Sequence, residues 1–266
     1  MTRLLASLAL FLIAGLALPP AAISAENPPA AASSPESTEA KALLMRMADF
    51  LGKAQAFSVN IDAVYDVLQA SGQKIEFGEV RQVLIDRPNH MRVQAEMSNG
   101  EKLTMSFDGK TFIMFSPKEN VFSQLEKPGS VDDVMKFIVL DLQTPIPLSV
   151  LLLASIKEEL EKRITEVDFV EPTTIAGKPA DHLAARTADV DFQVWVAQGE
   201  QPLPLRVVIT YKRAPGQPQF SADLSDWNLA PKIEESAFAF SPPAEAQAIP
   251  LMVALPNVAA AKRREK

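Results

Sequence analysis

Two histidines, His90 and His182, and two adjacent acidic pairs, Asp132-Asp133 and Glu158-Glu159, are the side chains in this sequence best suited to moving protons. An imidazole works as a general base when a carboxylate orients it, and Asp181 stands beside His182. Neither histidine has clustered partners, however, and each stands where a strand is predicted to begin, so both read as surface or strand-end residues. The acidic pairs fall in predicted helical segments, where neighbouring side chains diverge by about 100°. That placement suits helix-terminus and solvent charges better than a paired acid and base. The chain has no cysteine, which removes disulfides, thiol catalysis, thiolate metal sites and a lipid-modified cysteine at a processed N-terminus. It also lacks G-x-S-x-G, H-E-x-x-H, a phosphate-binding glycine loop and a dinucleotide fingerprint. No catalytic residue, metal or cofactor is expected, and the protein is not expected to be an enzyme.

What the chain supplies in quantity is soft apolar volume. Met91, Met97, Met105, Met114 and Met135 accompany Phe107, Phe112, Phe115, Phe122 and Phe137, against only two Tyr and two Trp in the whole sequence. Methionine is flexible and polarizable, which suits a cavity accepting acyl chains of varied shape and equally suits an ordinary core. Strand parity adds to this: Leu103, Met105 and Phe107 share one face of their strand, as do Val190, Phe192, Val194 and Val196, and Leu205, Val207, Ile209 and Tyr211. A curved sheet with an apolar concave side and a wet convex side satisfies the pattern.

The elements that would position these residues read as follows. A helix runs from Ser34 or Ser37 to Gly52, with Ala40, Leu43, Leu44, Met47, Phe50 and Leu51 at helical spacing. From Phe57 the period changes to two, and Ser71-Gly72 turns the chain into a second long run, Ile75 to Ile85. Short strands follow at His90 to Met97, Lys102 to Phe107, Thr111 to Phe115 and Val121 to Leu125, with Asn99-Gly100 and Asp108-Gly109 as hairpin turns. A second set lies at Thr165 to Val170, His182 to Thr187, Phe192 to Ala197, Leu205 to Lys212 and Phe220 to Leu229, so roughly ten strands are expected. Between the sets, Ser130 and Asp133 form a candidate capping box before Val131, Val134, Met135, Ile138 and Val139. After Thr144-Pro145-Ile146-Pro147, the stretch Leu148 to Ile156 reads as a helix apolar almost all round, which either plugs the open side of the sheet or lines a lipid-like cavity.

The ends of the chain concern location. Residues 1 to 25 read as a secretory signal: Arg3, the apolar stretch Leu4 to Leu18, and a small-residue exit with cleavage near Ala25. The apolar run is shorter than the roughly 20 residues a membrane span needs, so no stable membrane insertion is expected and the mature protein is expected in the periplasm. Residues 26 to 36 read as a disordered leader, 37 to 250 as one domain, and 251 to 266 as a flexible tail ending in a short basic cluster. With 26 basic against 33 acidic residues the net charge is −7, and loss of Arg3 makes it more negative by one, which opposes nucleic-acid binding.

Three motifs carry a family resemblance. Val83-Leu84-Ile85-Asp86-Arg87-Pro88-Asn89 followed by Met91, then Phe107-Asp108-Gly109-Lys110-Thr111-Phe112-Ile113-Met114-Phe115-Ser116-Pro117, then Phe238-Ala239-Phe240-Ser241-Pro242-Pro243-Ala244 resemble, in order and rough spacing, the periplasmic lipoprotein-carrier (LolA/LolB-like) superfamily. The segment 130 to 165, the stretch from Gln198 to Leu205 and the loop at 215 to 218 depart from the typical carrier and are closer to an uncharacterised exported family within that superfamily. The resemblance implies an α+β fold: an incomplete antiparallel β-barrel, a curved half-barrel, closed by helices around a hydrophobic cavity for acyl chains. It also implies that Arg87 holds the helical lid shut through hydrogen bonds to backbone carbonyls. The ligand-contacting set so expected is Arg87, Met91, Leu103, Met105, Phe107, Phe112, Met114, Met135, Ile138 and Leu152. The expected function is that of a soluble periplasmic carrier for an acylated ligand, lipoprotein or lipid. The alternative is an envelope-sensing regulator or scaffold that uses the same fold to bind a protein partner, with Ile249, Leu251, Met252, Val253 and Leu255 as a docking arm, a last strand or a disordered tail.

Overall fold

The computed structural model describes residues 35–143, 146–234 and 236–251. Helix α1 (Pro35–Lys53) begins on a proline, whose missing N–H is no loss at a first helical position. Ala40, Leu44, Met47, Ala48 and Leu51 form its buried stripe. Of the two expected starts, Ser34 or Ser37, a first helical residue at Pro35 fits the former.

β1 (Ala56–Leu68) and β2 (Lys74–Asp86) pair along their whole length. β3 (His90–Met97), β4 (Lys102–Phe107), β5 (Thr111–Ser116) and β6 (Val121–Glu126) continue as an antiparallel meander. Gly109 fits the β4–β5 turn because its φ is +88° and a Cβ there would lie 2.5 Å from Asn89 Nδ2. A helical insert follows: α2 (Val131–Lys136), a π-helical turn at Phe137–Asp141, a 3₁₀ turn at Ser149–Leu152 and α3 (Ile156–Arg163). The chain then forms β7 (Ile164–Ile175), β8 (Lys178–Thr187), β9 (Val190–Ala197), β10 (Pro204–Tyr211), β11 (Gln219–Asn228) and the two-residue β12 (Gln247–Ala248).

All twelve strands make one sheet in the order β12-β6-β5-β4-β3-β2-β1-β11-β10-β9-β8-β7. β1 lies between β2 and β11, so it joins the two strand sets at the middle, while β12 and β7 stay as edges and the sheet does not close into a barrel. Its apolar face carries Val59, Ile61, Val83, Val93, Val194, Val207 and Leu224, which join the residues of α1, α2 and α3 in one core.

The described residues hold twelve strands, in keeping with the roughly ten expected, and the addition to the runs read from the sequence is the Gln247–Ala248 strand, which pairs in parallel with β6. Several expectations need correction. Leu148 to Ile156 is not a helix. Pro147 has no N–H to give, Leu148 adopts a left-handed φ of 65°, and Leu153 is extended, so only the short 3₁₀ turn forms before α3 starts. His182 sits within β8 rather than at its start, because that strand begins at Lys178 after a turn at Ala176-Gly177. Glu159 is buried rather than a solvent charge.

The C-terminal segment crosses the outer face of the meander. Arg92 Nη1 donates to the Ala237 carbonyl at 2.9 Å and Ser106 Oγ to that of Phe238 at 2.5 Å. Phe238 stacks on His90 and Phe240 meets Phe115. Beyond β12, the Ile249 amide donates to Phe122 O and Leu251 packs on the core. Of the candidate docking arm, Ile249 thus belongs with the last strand, and Met252, Val253 and Leu255 lie outside the described residues. So do the expected signal segment and its cleavage site.

Candidate functional site: an apolar trough and its latched cover

Between the sheet and the helical insert lies a cavity of about 30 Å³, room for roughly two water molecules. Its floor comes from the middle of the sheet: Phe57, Val59 and Ile61 of β1, Val83 of β2, Met91 and Val93 of β3, Met105 of β4, and Leu224 and Trp227 of β11. The insert closes it with Met135 and with Ile146, Pro147, Leu148, Ser149, Leu151 and Leu152. Arg81 and Ser149 are the polar side chains on an otherwise apolar wall.

Of the ten residues expected at a ligand site, Met91, Met105, Met135 and Leu152 line this cavity. Phe107, Phe112, Met114 and Ile138 are fully buried in the adjoining core, and Leu103 packs against that core without lining the cavity. Residues absent from the expected set include Phe57, Val59 and Ile61, which share one face of the period-two run that starts at Phe57. The abundance of Met and Phe in β4 and β5 drew attention toward one edge, whereas the sheet order puts the trough under β1, β2, β3 and β11. Arg81 was missed as well; the available signal was a charge at the inward parity of Val83 and Ile85.

Arg87 lies at the end of the trough, just past β2, and ties the cover down. Its Nη1 donates to the carbonyls of Leu51 and Ala54, at 3.2 and 2.5 Å, where α1 ends. Its Nη2 donates to the carbonyls of Leu152 and Leu153, both at 3.1 Å, where the 3₁₀ turn ends. One planar fork thus gathers carbonyls from two helical ends, adding to the bond that the Leu51 carbonyl already accepts from the Ala54 amide at 3.3 Å. The guanidinium also sits 5.3 Å from the centre of the Phe57 ring. Burial draws the Arg87 pKa down from the usual arginine value, and the charge of Asp132 opposes that.

Asp132 anchors the far side of the same turn, accepting from the amides of Ala154 and Ser155 at 2.8 and 3.0 Å and from Ser155 Oγ at 2.5 Å. Asp133 completes the capping box with Ser130. Lys136 bridges the two helices, 3.9 Å from Asp132 and 3.3 Å from Glu159. Burial works against the Glu159 carboxylate, but Lys136, Lys162 and Arg163 outweigh it and hold its pKa below the ordinary glutamate value. Asp132, Asp133 and Glu159 are therefore occupied in holding the insert together, while Glu158 stays exposed, as expected of a solvent charge.

The sequence motifs meet in space. The Val131 amide donates to Pro88 O, the Gly129 amide to Gly109 O, and Phe238 lies on His90, so the Arg-Pro, Asp-Gly and Phe-Ala-Phe segments gather around the base of α2. Among the described residues no group of three or more His, Asp or Glu is placed to hold a metal ion, and no helix is long and apolar enough to cross a membrane.

The site is thus an apolar trough in an open sheet, under a helical cover tied down at both ends. The family described as "Predicted periplasmic protein (DUF2092)" matches residues 40–252, and the chain belongs to it. The protein is thus periplasmic, as its N-terminal sequence anticipates. No curated protein matches the chain in sequence. Among solved structures, it is similar to the Mycobacterium tuberculosis lipoprotein LppX (12% identity, 74% of this chain and 99% of that one, TM-score 0.45). It is also similar to MucB (15%, 79% and 65%, TM-score 0.42), and to the LolA superfamily protein NE2245 from Nitrosomonas europaea (13%, 76% and 97%, TM-score 0.36).

Proposed function

We propose that this protein is a periplasmic carrier without enzymatic activity, a half-barrel that holds an acylated ligand, lipoprotein or lipid, in the trough of its open sheet. The observation that carries the reading is the Arg87 latch: four backbone carbonyls from two separate helical ends meet on one guanidinium. The cavity beneath is apolar but far too small for an acyl chain, so the cover must move for the trough to load. Directional bonds to carbonyls fix the closed position of the cover, and its apolar contacts with the trough are of the kind that an acyl chain can replace. Burial of each ligand methylene then contributes about 0.8 kcal/mol, and release requires only a receptor with a better apolar site.

The test is native mass spectrometry with lipid extraction on the protein purified gently from the periplasm, followed by uptake of 1,2-dipalmitoylglycerol by the delipidated protein. A co-purifying acylated species, or stoichiometric uptake, is expected. A clean apo mass with no uptake overturns the proposal.

A further inference from the structure

Among the described residues, Arg81 is the one charged residue lining the cavity. It stands on β2 with Val83 and Ile85 on the apolar face of the sheet, and its guanidinium pairs with Glu79, two residues earlier on that face. Both side chains are close to buried, 13% and 9% exposed. A second donor, Nη1, reaches the Pro147 carbonyl of the cover at 3.2 Å, and the guanidinium lies 5.7 Å from the Phe220 ring centre. The chain's only two tyrosines flank this end: Tyr65 sits opposite Phe220, and Tyr211 lies two residues past Ile209, Phe220's partner on the other side.

A nearly buried ion pair is a poor substitute for apolar packing where stability alone is concerned. Here it makes one end of a greasy trough rich in N–H and O–H donors. Glu79 cancels the charge of Arg81, so the site as a whole is neutral and its carboxylate repels an anionic head. A neutral acceptor meets no such obstacle, and the closed structure already displays one, the peptide carbonyl of Pro147. Resting on the carrier reading, we infer that Arg81 recognises the ester carbonyl joining an acyl chain to its head, which replaces the Pro147 carbonyl on Nη1 when the cover opens. Glu79 positions the guanidinium, and loading exchanges one carbonyl for another.

The test compares the binding of 1,2-dipalmitoylglycerol with that of 1,2-dihexadecylglycerol, its ether analogue without carbonyls. The wild-type protein is expected to bind the ester roughly tenfold more tightly, the scale of one hydrogen bond from a charged donor. In the charge-neutral double variant Glu79→Gln/Arg81→Gln, that preference is expected to vanish, the ester and the ether then binding alike. Independently of any variant, the stretch of an isotopically labelled ester carbonyl is expected to move to lower frequency on binding to the wild type. Equal binding of ester and ether by the wild type, or no such spectral shift, overturns carbonyl recognition and leaves the carrier reading intact. Failure of the wild type to bind either lipid overturns both, and a preference that survives in the folded double variant removes Arg81 from the role.

Discussion

Replacing Arg87 with methionine separates two contributions that the wild-type structure combines. The bonds to Leu51 and Ala54 lie within the α1 end and the sheet, so their loss weakens the fold whether the cover is open or closed. The bonds to Leu152 and Leu153 exist only when the cover is closed. A hydrogen bond from a charged donor contributes roughly 1.5–3 kcal/mol, and the carbonyls freed on opening find water, so the low end applies. Two such bonds give about 3 kcal/mol, a shift of roughly 100-fold toward the open state. The assay is native-state hydrogen exchange at Leu151, Leu153 and Ala154, whose amides donate to Leu148 O, Val150 O and Asp132 Oδ1. These amides are expected to exchange about 100-fold faster in the variant, with a much smaller change at the β1–β2 ladder. Equal acceleration at the cover and at the ladder would mean that Arg87 is a structural tie, and the latch would be refuted. Arg87→Lys is expected to behave nearly like Arg87→Met, because one ammonium cannot span four carbonyls on two elements.

Other substitutions examine the supports of the cover. Gly52→Ala places a Cβ 2.7 Å from the Ala154 carbonyl, so α1 and the cover must separate; a loss of about 1–3 kcal/mol in urea unfolding, with faster exchange at Ala154, is expected. Glu159 has a depressed pKa in the fold, so its contribution is present above the ordinary glutamate pKa and is lost as pH falls through and below that value. Glu159→Gln is therefore expected to be less stable than wild type at pH 7, with a shallower fall of melting temperature between about pH 5 and pH 3. Parallel curves would show that the carboxylate is not coupled to the insert. Phe238→Ala removes a ring that is 5% exposed and stacked on His90; a destabilisation of about 3–5 kcal/mol in thermal unfolding is expected, with lipid uptake unchanged below the transition.

Local rules carried the sequence reading a long way through the strands and stopped at the insert. The alternation of Leu205, Val207 and Ile209, the hairpin glycines and the Ser130–Asp133 capping box each depend on residues within one or two turns, and each is found as expected. Leu148 to Ile156 misled because its apolar composition is explained by the trough it faces, while its backbone is governed by Pro147 and by a left-handed Leu148. The trough itself depends on which strands are central, and that follows from the pairing of β1 with β11 across some 160 residues, which no local pattern encodes. Arg87 was legible only through its resemblance to a family motif. Its four carbonyl partners come from segments more than 30 and more than 60 residues away.

The energetics explain why the cover is held by polar ties. The cover buries Ile146, Leu148, Leu151 and Leu152 against the trough, each contributing about 1.5–3 kcal/mol if fully buried, or roughly 6–12 kcal/mol together. One sixteen-carbon acyl chain in the same place contributes about 12 kcal/mol at 0.8 kcal/mol per methylene. Ile146 and Leu152 are only half-buried, so the cover's share falls short of its upper figure and the apolar terms favour the acyl chain. The directed bonds work against that preference. An acyl ester restores a partner to Arg81 in place of Pro147, but nothing on an acyl chain replaces the Leu152 and Leu153 carbonyls on Arg87. The Arg87 bonds are therefore what loading gives up and release recovers, so the latch favours delivery over retention once a receptor competes for the acyl chain.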